Sequence, residues 1–407
     1  MNPARRSFRT AFVVGALSLA GVAIACGPGF LDGISGGARV VEPDAETGGP
    51  LDPDGGRACK PRHLPERPPG QDDNTALVLP TFAFESIRVD TFGAPDAGGA
   101  IPLGLDLDDR CTCPETDSCL RAADAGQSCD GKQGEDNAMS GFFNSINIGV
   151  PLFKQTFATD RIQQGYFTFL VDVFGWNGQP DDPNVSVTMR LSLRIEGKKE
   201  DGGLPPPKFD GTDVWTLDPN AIAGGAESVG KDCRVTADSY RCIGRVRDDK
   251  AYVRDGKLVA RPRLDGKADA PVSVVILAGL GVINFELYDF TLSGSFARSE
   301  DGGVRGLSGE VTGRITTENV LRTVAAIDDF TSDNKTPLCK NAVLYEIAKK
   351  SVCETADLAA PGKDNTGAKC DHVSLAMSFA SSPAIVGPIL LRQMPVADCT
   401  ESLFSCP

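Results

Sequence analysis

Apolar and polar residues alternate one for one from Val185 to Ile195. Val185, Val187, Met189, Leu191, Leu193 and Ile195 share one face; Ser186, Thr188, Arg190, Ser192 and Arg194 share the other. A period of two with one apolar face predicts a half-buried antiparallel strand. The preceding run, Tyr166 to Trp176, is apolar on nearly both faces, which predicts a central strand covered on both sides. Asn177 to Asn184 offers turn chemistry at almost every position, so the two runs are expected to form a long antiparallel hairpin. Further strands are expected over Phe82 to Val89, Val214 to Leu217 and Val272 to Leu277. Ala251 to Arg254 should pair with Lys257 to Ala260 across the two-residue turn Asp255-Gly256. Ile283 to Phe296 and Gly306 to Ile315 form another expected antiparallel pair.

The period changes near the C-terminus. Val320, Leu321, Val324 and Ile327 lie at helical spacing, with Thr316 or Thr317 available as N-cap. Thr336-Pro337 then opens a second helix expected to run to about Cys353. These elements predict a mainly β fold: an antiparallel, β-sandwich-like domain, a jelly roll or related, with two C-terminal helices.

At the other end, Arg5, Arg6 and Arg9 precede a run, Ala11 to Ala25, in which every residue is apolar or small. Fifteen residues at the helical rise reach about 22 Å, short of the roughly 30 Å hydrocarbon core. A cleavable signal therefore fits better than a spanning helix. The run ends in Val22-Ala23-Ile24-Ala25-Cys26, which resembles a bacterial lipobox, with Cys26 as the acylated residue (palmitate among the acyl chains). Gly27 stands where an Asp would signal inner-membrane retention, so the resemblance implies an outer-membrane lipoprotein facing the periplasm or the cell surface. The segment that follows is rich in Gly, Pro and Asp and cannot bury enough apolar surface to offset its ordering entropy. The expected organisation is a signal peptide over 1–25, a disordered tether over 26–75 and a single domain over 76–407.

Cysteine usage agrees with export. Removing Cys26 from the 13 cysteines leaves an even number. Cys111, Cys113, Cys119, Cys129, Cys233, Cys242, Cys339, Cys353, Cys370, Cys399 and Cys406 are candidates for disulfides within the domain, and Cys59 lies in the tether. The cluster from Cys111 to Cys129 reads as a small disulfide knot, or as a bracing loop tied to strands elsewhere. Cys233 and Cys242 plausibly close a local loop. If the second helix is continuous, Cys339 and Cys353 lie about 21 Å apart along it and must each pair outward, with Cys370, Cys399 and Cys406 as candidates. A net charge of −14 with no basic stripe disfavours nucleic acid as a partner.

Candidate chemistry is sparse. Gly33-Ile34-Ser35-Gly36-Gly37 fits the G-x-S-x-G string but lies in the tether, without the strand and helix a nucleophile elbow needs. His63 and His372 are the two histidines, and neither sits in a hydrolase or metal motif. The acidic loops are the stronger candidates. Asp106, Asp108 and Asp109 begin like a D-x-D-x-D calcium loop, although Arg110 takes the third ligand position; Asp181 and Asp182 lie in the hairpin turn. Calcium is the one cofactor this pattern suggests. Trp176 and Asn177 could form part of a glycan-binding face. Asp172, within the doubly apolar strand, is a candidate raised-pKa acid, with Glu286 and Asp289 as its partners in a carbohydrate-active hydrolase.

Several short segments resemble a group of uncharacterised, cysteine-rich putative lipoproteins from myxobacteria. They include Gly104-Leu105-Asp106-Leu107-Asp108, Asp136-Asn137-Ala138, Trp176-Asn177-Gly178, Leu307-Ser308-Gly309-Glu310-Val311-Thr312-Gly313-Arg314 and Cys370-Asp371-His372-Val373-Ser374-Leu375. The resemblance implies architecture and address and brings no activity. The functional expectation is a membrane-anchored lipoprotein whose β-rich domain is a non-enzymatic binding or envelope-structural protein, meeting the membrane through its lipid, with glycan or other envelope components as candidate partners of its loops. The alternative is the secreted carbohydrate-active hydrolase.

Overall fold

The computed structural model describes residues 61–70, 76–89, 103–112, 117–122, 125, 129–131, 133–149, 157–228, 242–267, 269–278, 281–300, 302–329, 336–391 and 398–407. Cys26, Cys59, Cys113, Cys233 and the expected signal sequence lie outside these residues.

The strands are β1 (Thr81–Arg88), β2 (Thr168–Phe174), β3 (Asp182–Ile195), β4 (Val214–Leu217), β5 (Val246–Arg254), β6 (Lys257–Ala260), β7 (Arg263–Leu264), β8 (Val272–Ala278), β9 (Gly281–Arg298), β10 (Val304–Thr316) and β11 (His372–Ile389). Eight of them close a ring in the order β1, β2, β3, β5, β6, β9, β10, β11 and back to β1, with every adjacent pair antiparallel. The fold is therefore an up-and-down barrel, and the expected sandwich is corrected. Alternation along one strand reports that one face is buried; it does not say whether the sheet opposite is a second sheet or the same sheet curled round. Closure rests on β1 meeting β11, from Thr81↔Ala384 to Arg88↔Ser378, a pairing with no local signature.

Inward positions of every ring strand supply the core. Phe84, Val171, Met189, Val253, Leu258, Leu292, Val311 and Met377 belong to one continuous buried cluster. The lumen is filled: a void of about 20 Å³, about one water, remains among residues that include Phe84, Phe169, Phe290, Met377 and Phe379. At one mouth, helices α1 (Ala138–Gly149) and α2 (Phe157–Gln163) contribute Phe142, Phe143 and Ile162 to the same core. At the other, Trp176 stacks on Phe296 with ring centroids 4.0 Å apart.

A second, smaller core lies outside the barrel wall. β4 bridges β3 and the far end of β11, placing Trp215 and Leu217 over Ala83, Leu170 and Val386. This layer explains why β2 is apolar on both faces. It also buries Thr188, Arg190 and Ser192 on the face of β3 expected to be solvated.

The C-terminal helices are α3 (Thr317–Ala326) and α4 (Ala342–Thr355). Thr316 caps α3, its hydroxyl accepting from Asn319 N. The second helix starts later than expected. Pro337 opens only a 3₁₀ turn over Leu338–Lys340, and Asn341 then caps α4. Cys339 and Cys353 do reach outward, to Cys399 and Cys406 respectively, and another disulfide joins Cys119 to Cys370. Residues 61–70, within the expected tether, bond to the domain. Arg62 N donates to Gln133 O at 2.8 Å, and Arg67 reaches the carbonyls of Pro183 and Lys250.

Candidate metal centre

The outer face of β10 and β11 is polar: Glu310, Thr312 and Arg314 from one strand, His372 and Ser374 from the other. All five are nonetheless buried, because two segments lie over them. The first comprises the described parts of residues 103–137; the second, residues 356–370, follows α4. Buried polar groups need partners, and here the cover supplies them. Arg314 Nη2 donates to Leu107 O at 2.7 Å, and Nη1 donates to Ala359 O and Asp364 Oδ2, both at 2.8 Å. Ala138 N donates to Ser374 Oγ at 2.7 Å and Ala376 N to Asn137 Oδ1 at 3.0 Å. Asn365 ties the two segments together, donating through its backbone to Ser118 O and through Nδ2 to Asp108 O. The Cys119–Cys370 disulfide, with Cα atoms 5.1 Å apart, fixes the first segment to the residue two before β11. The cysteine-rich stretch is thus a bracing loop.

Carboxylates gather beneath this cover. Asp106, Asp108 and Asp136 are all buried, and each offers one oxygen such that the three atoms lie within 4.8 Å of one another. Local turns aim them: Arg110 N donates to Asp106 Oδ1 at 3.1 Å and to Asp108 Oδ1 at 3.0 Å, and Leu107 N donates to Asp136 Oδ2 at 2.6 Å. Burial, reinforced by the Asp108 carboxylate, pushes Asp106 up to about 6. Burial likewise raises Asp108, and burial together with Asp108, Asp130 and Asp357 holds Asp136 well above the ordinary carboxylate range. Asp357, raised by burial to about 6, accepts from Ser374 N and Oγ at the edge of the group. Such a set can hold protons or a hard cation; it cannot hold several bare negative charges together.

The other expected site residues lie elsewhere. Asp109, adjacent in sequence, turns outward with its side chain 86% exposed. Asp181 and Asp182 are far from the cluster in the fold and shape the β2–β3 turn. Asp182 accepts from Asn177 N and Asn184 N, and Asp181 accepts from Asp255 N. Trp176 is 2% exposed, covered by Phe296 and by the Arg298 guanidinium, with its Nε1 donating to Gln179 O. The expected sugar-stacking face is therefore corrected: the ring is part of the plug at the barrel mouth, and the Asn177 side chain accepts from Gln179 N within the same turn. Asp172, the candidate acid, sits in an ion pair. It faces the outer layer, where Arg190 pairs with it and Thr81 donates to it at 2.5 Å. Asp289 faces Arg314 Nε at 3.0 Å, in the bulge between β9 and β10. Glu286 lines an open groove of about 530 Å³ beside α3, with the filled barrel between it and Asp172. His372 is buried against Tyr288, its Nδ1 2.6 Å from Asp371 Oδ1.

Asp136 is the member the sequence reading missed as a ligand. It lies in a polar stretch with no periodicity, and the sole cue is the Gly134 that precedes it. Among known proteins, no family model, no curated protein and no solved structure matches this chain.

Proposed function

We propose that this chain is an exported lipoprotein, anchored through Cys26, whose barrel domain serves the outer envelope as a non-enzymatic structural or binding module. Cysteine parity carries the reading. All nine described cysteines are disulfide-bonded. Thirteen is odd, so a cysteine outside disulfides within the chain is one of Cys26, Cys59, Cys113 and Cys233. Of these four, Cys26 alone ends an apolar run behind arginines.

The non-enzymatic part rests on the barrel itself. Its lumen is packed with side chains, and Asp172 and Asp289, two of the three carboxylates considered for hydrolysis, are held in ion pairs. Mass spectrometry of the mature N-terminal peptide tests the anchor. It should begin at Cys26 and carry a thioether-linked diacylglyceryl group; a mature chain beginning elsewhere, or Cys26 found in a disulfide, overturns the proposal.

A further inference from the structure

We infer that the space enclosed between the Leu103–Asn137 segment and the outer face of β10–β11 is a divalent-cation site, with Asp106, Asp108 and Asp136 as its carboxylate ligands and calcium as its ion. The argument begins with how this protein treats its other buried carboxylates. Asp172 has Arg190, Glu310 has Arg62 at 2.9 Å and Lys257 at 3.6 Å, and Asp364 has Arg314. Asp213 has no cation but takes the backbone N–H groups of Lys208 and Phe209. Each is neutralised or surrounded by donors, as burial of a charge requires. The triad, like the adjacent Glu135, has backbone N–H donors but no cation. Among the described residues, no ion pair reaches Asp106, Asp108 or Asp136. Arg314, in the same layer, pairs with Asp364 and Asp289 instead.

An orphan atom points to what is missing. Asp106 is 7% exposed, and its Oδ2 has no hydrogen-bond partner. Water does not have free access from the side of Gly134, whose backbone closes over it. A Cβ at that position would lie 3.0 Å from Asp106 Oδ2 and 3.2 Å from Cys111 Sγ, and its φ of +70° is one that glycine adopts readily. A buried carboxylate oxygen with no donor, beside two further buried carboxylates, is the arrangement a metal ion completes.

The donor set selects the ion. All three ligands are hard oxygens, and no histidine or thiolate shares the cluster. Oxygens within 4.8 Å of one another are close enough to share one calcium at bonds of about 2.4 Å. Magnesium usually takes one or two carboxylates and keeps its waters, so three converging carboxylates favour calcium. The Ser118 hydroxyl, beside Asp108, adds a neutral oxygen. The choice of calcium over other hard ions also rests on the exported reading, since calcium is abundant outside cells. The site's place in the fold gives it a purpose: its ligands come from both ends of the bracing loop, so the ion closes that loop on itself and presses it against β10 and β11.

The test uses the mature chain purified in detergent, stripped with EDTA and dialysed. Isothermal titration with CaCl₂ should show one site and the melting temperature should rise by several degrees; no heat and no shift at millimolar calcium overturns the inference. Hydrogen exchange on the same wild-type protein locates the ion without any variant. Calcium should slow exchange in peptides covering 104–110 and 133–137, and protection confined to other regions overturns the assignment. Asp108→Asn should abolish the titration, whereas Asp109→Asn, at the exposed neighbour, should leave it unchanged. The two proposals fail separately: an unmodified N-terminus with calcium bound removes only the anchor, and an acylated chain that ignores calcium removes only this site.

Discussion

Asp106 makes a charge-balance argument testable with one atom changed. Its folded-state pKa, about 6 against an ordinary 3.8, means that the metal-free folded chain holds a proton that the unfolded chain has released across that interval. The contribution of Asp106 to stability then falls as pH rises from about 4 to about 6 and is level above, because the folded state binds more protons in that interval. Asp106→Asn removes this dependence while keeping an oxygen for Arg110 N. In EDTA the variant should gain on the wild type as pH rises through that window, by at most about 3 kcal/mol at roughly 1.4 kcal/mol per pKa unit. Urea midpoints at pH 4.5 and 7.5 measure it; a difference independent of pH would refute the charge assignment. Asp172 predicts the opposite behaviour. Asp172→Ala strands the Arg190 guanidinium in the outer layer, and loss of one partner of a buried pair costs about 3–5 kcal/mol. Its urea midpoint should fall at every pH tested near neutrality. Residue by residue, the sequence identified Asp106 and Asp108 through their D-x-D spacing but could not separate them from Asp109, since which of three consecutive-looking acids turns inward depends on the φ of +59° at Asp109 itself. It made Asp172 and Trp176 attractive because both sit in apolar company. Apolar company is also what a satisfied ion pair and a stacked plug require.

Strands with a steady period were legible, and those whose environment changes along their length were not. β4 matches its expected limits, and β3, β6, β8, β9 and β10 match theirs to within a few residues. β11 was missed although it is among the longest strands. Its first part pairs with β10, its middle also with β1 and its last part with β4, so no single alternation runs through it. Ser381-Ser382-Pro383 breaks the apolar pattern where the partner changes, and Pro383 faces Phe82 near the start of β1. Close approach of strands is set by glycine at β9–β10. A Cβ at Gly309 would lie 2.0 Å from Ser293 O, so Gly309→Ala must push two ring strands apart. We expect it to lower stability by about 1–3 kcal/mol or more, read as a lower melting temperature. The bracing loop depends on a different link. Replacing Cys119 and Cys370 together by serine should cost about 2–4 kcal/mol. It should also expose the loop to limited proteolysis before the barrel strands; cleavage that starts within the strands would argue that the loop is held independently of this disulfide.

At the scale of the whole molecule, closure of the barrel was illegible because it is decided between β1 and β11, near opposite ends of the described chain, while every other ring contact joins neighbours in sequence order. That closure separates two kinds of stability. The ring owes its order to a filled lumen and to ladders that leave no edge among its eight strands. The cover over β10–β11 has little apolar burial of its own: Cys119, Ala356, Ala359 and Cys370 form a small separate cluster, with Leu105, Cys111 and Leu358 buried beside many polar groups. Segments held by polar links and little apolar burial open at lower free energy than the global transition. Metal removal should therefore act locally. In EDTA, amides of residues 104–112 and 133–137 should exchange markedly faster, while those of β2, β3 and β10 keep the protection that global unfolding allows. Calcium at a hundred times its dissociation constant should restore about 2.7 kcal/mol to the cover alone. If EDTA instead speeds exchange uniformly around the ring, the cover and the barrel unfold as one unit, and the ion's place would be in the global fold rather than in the loop it closes.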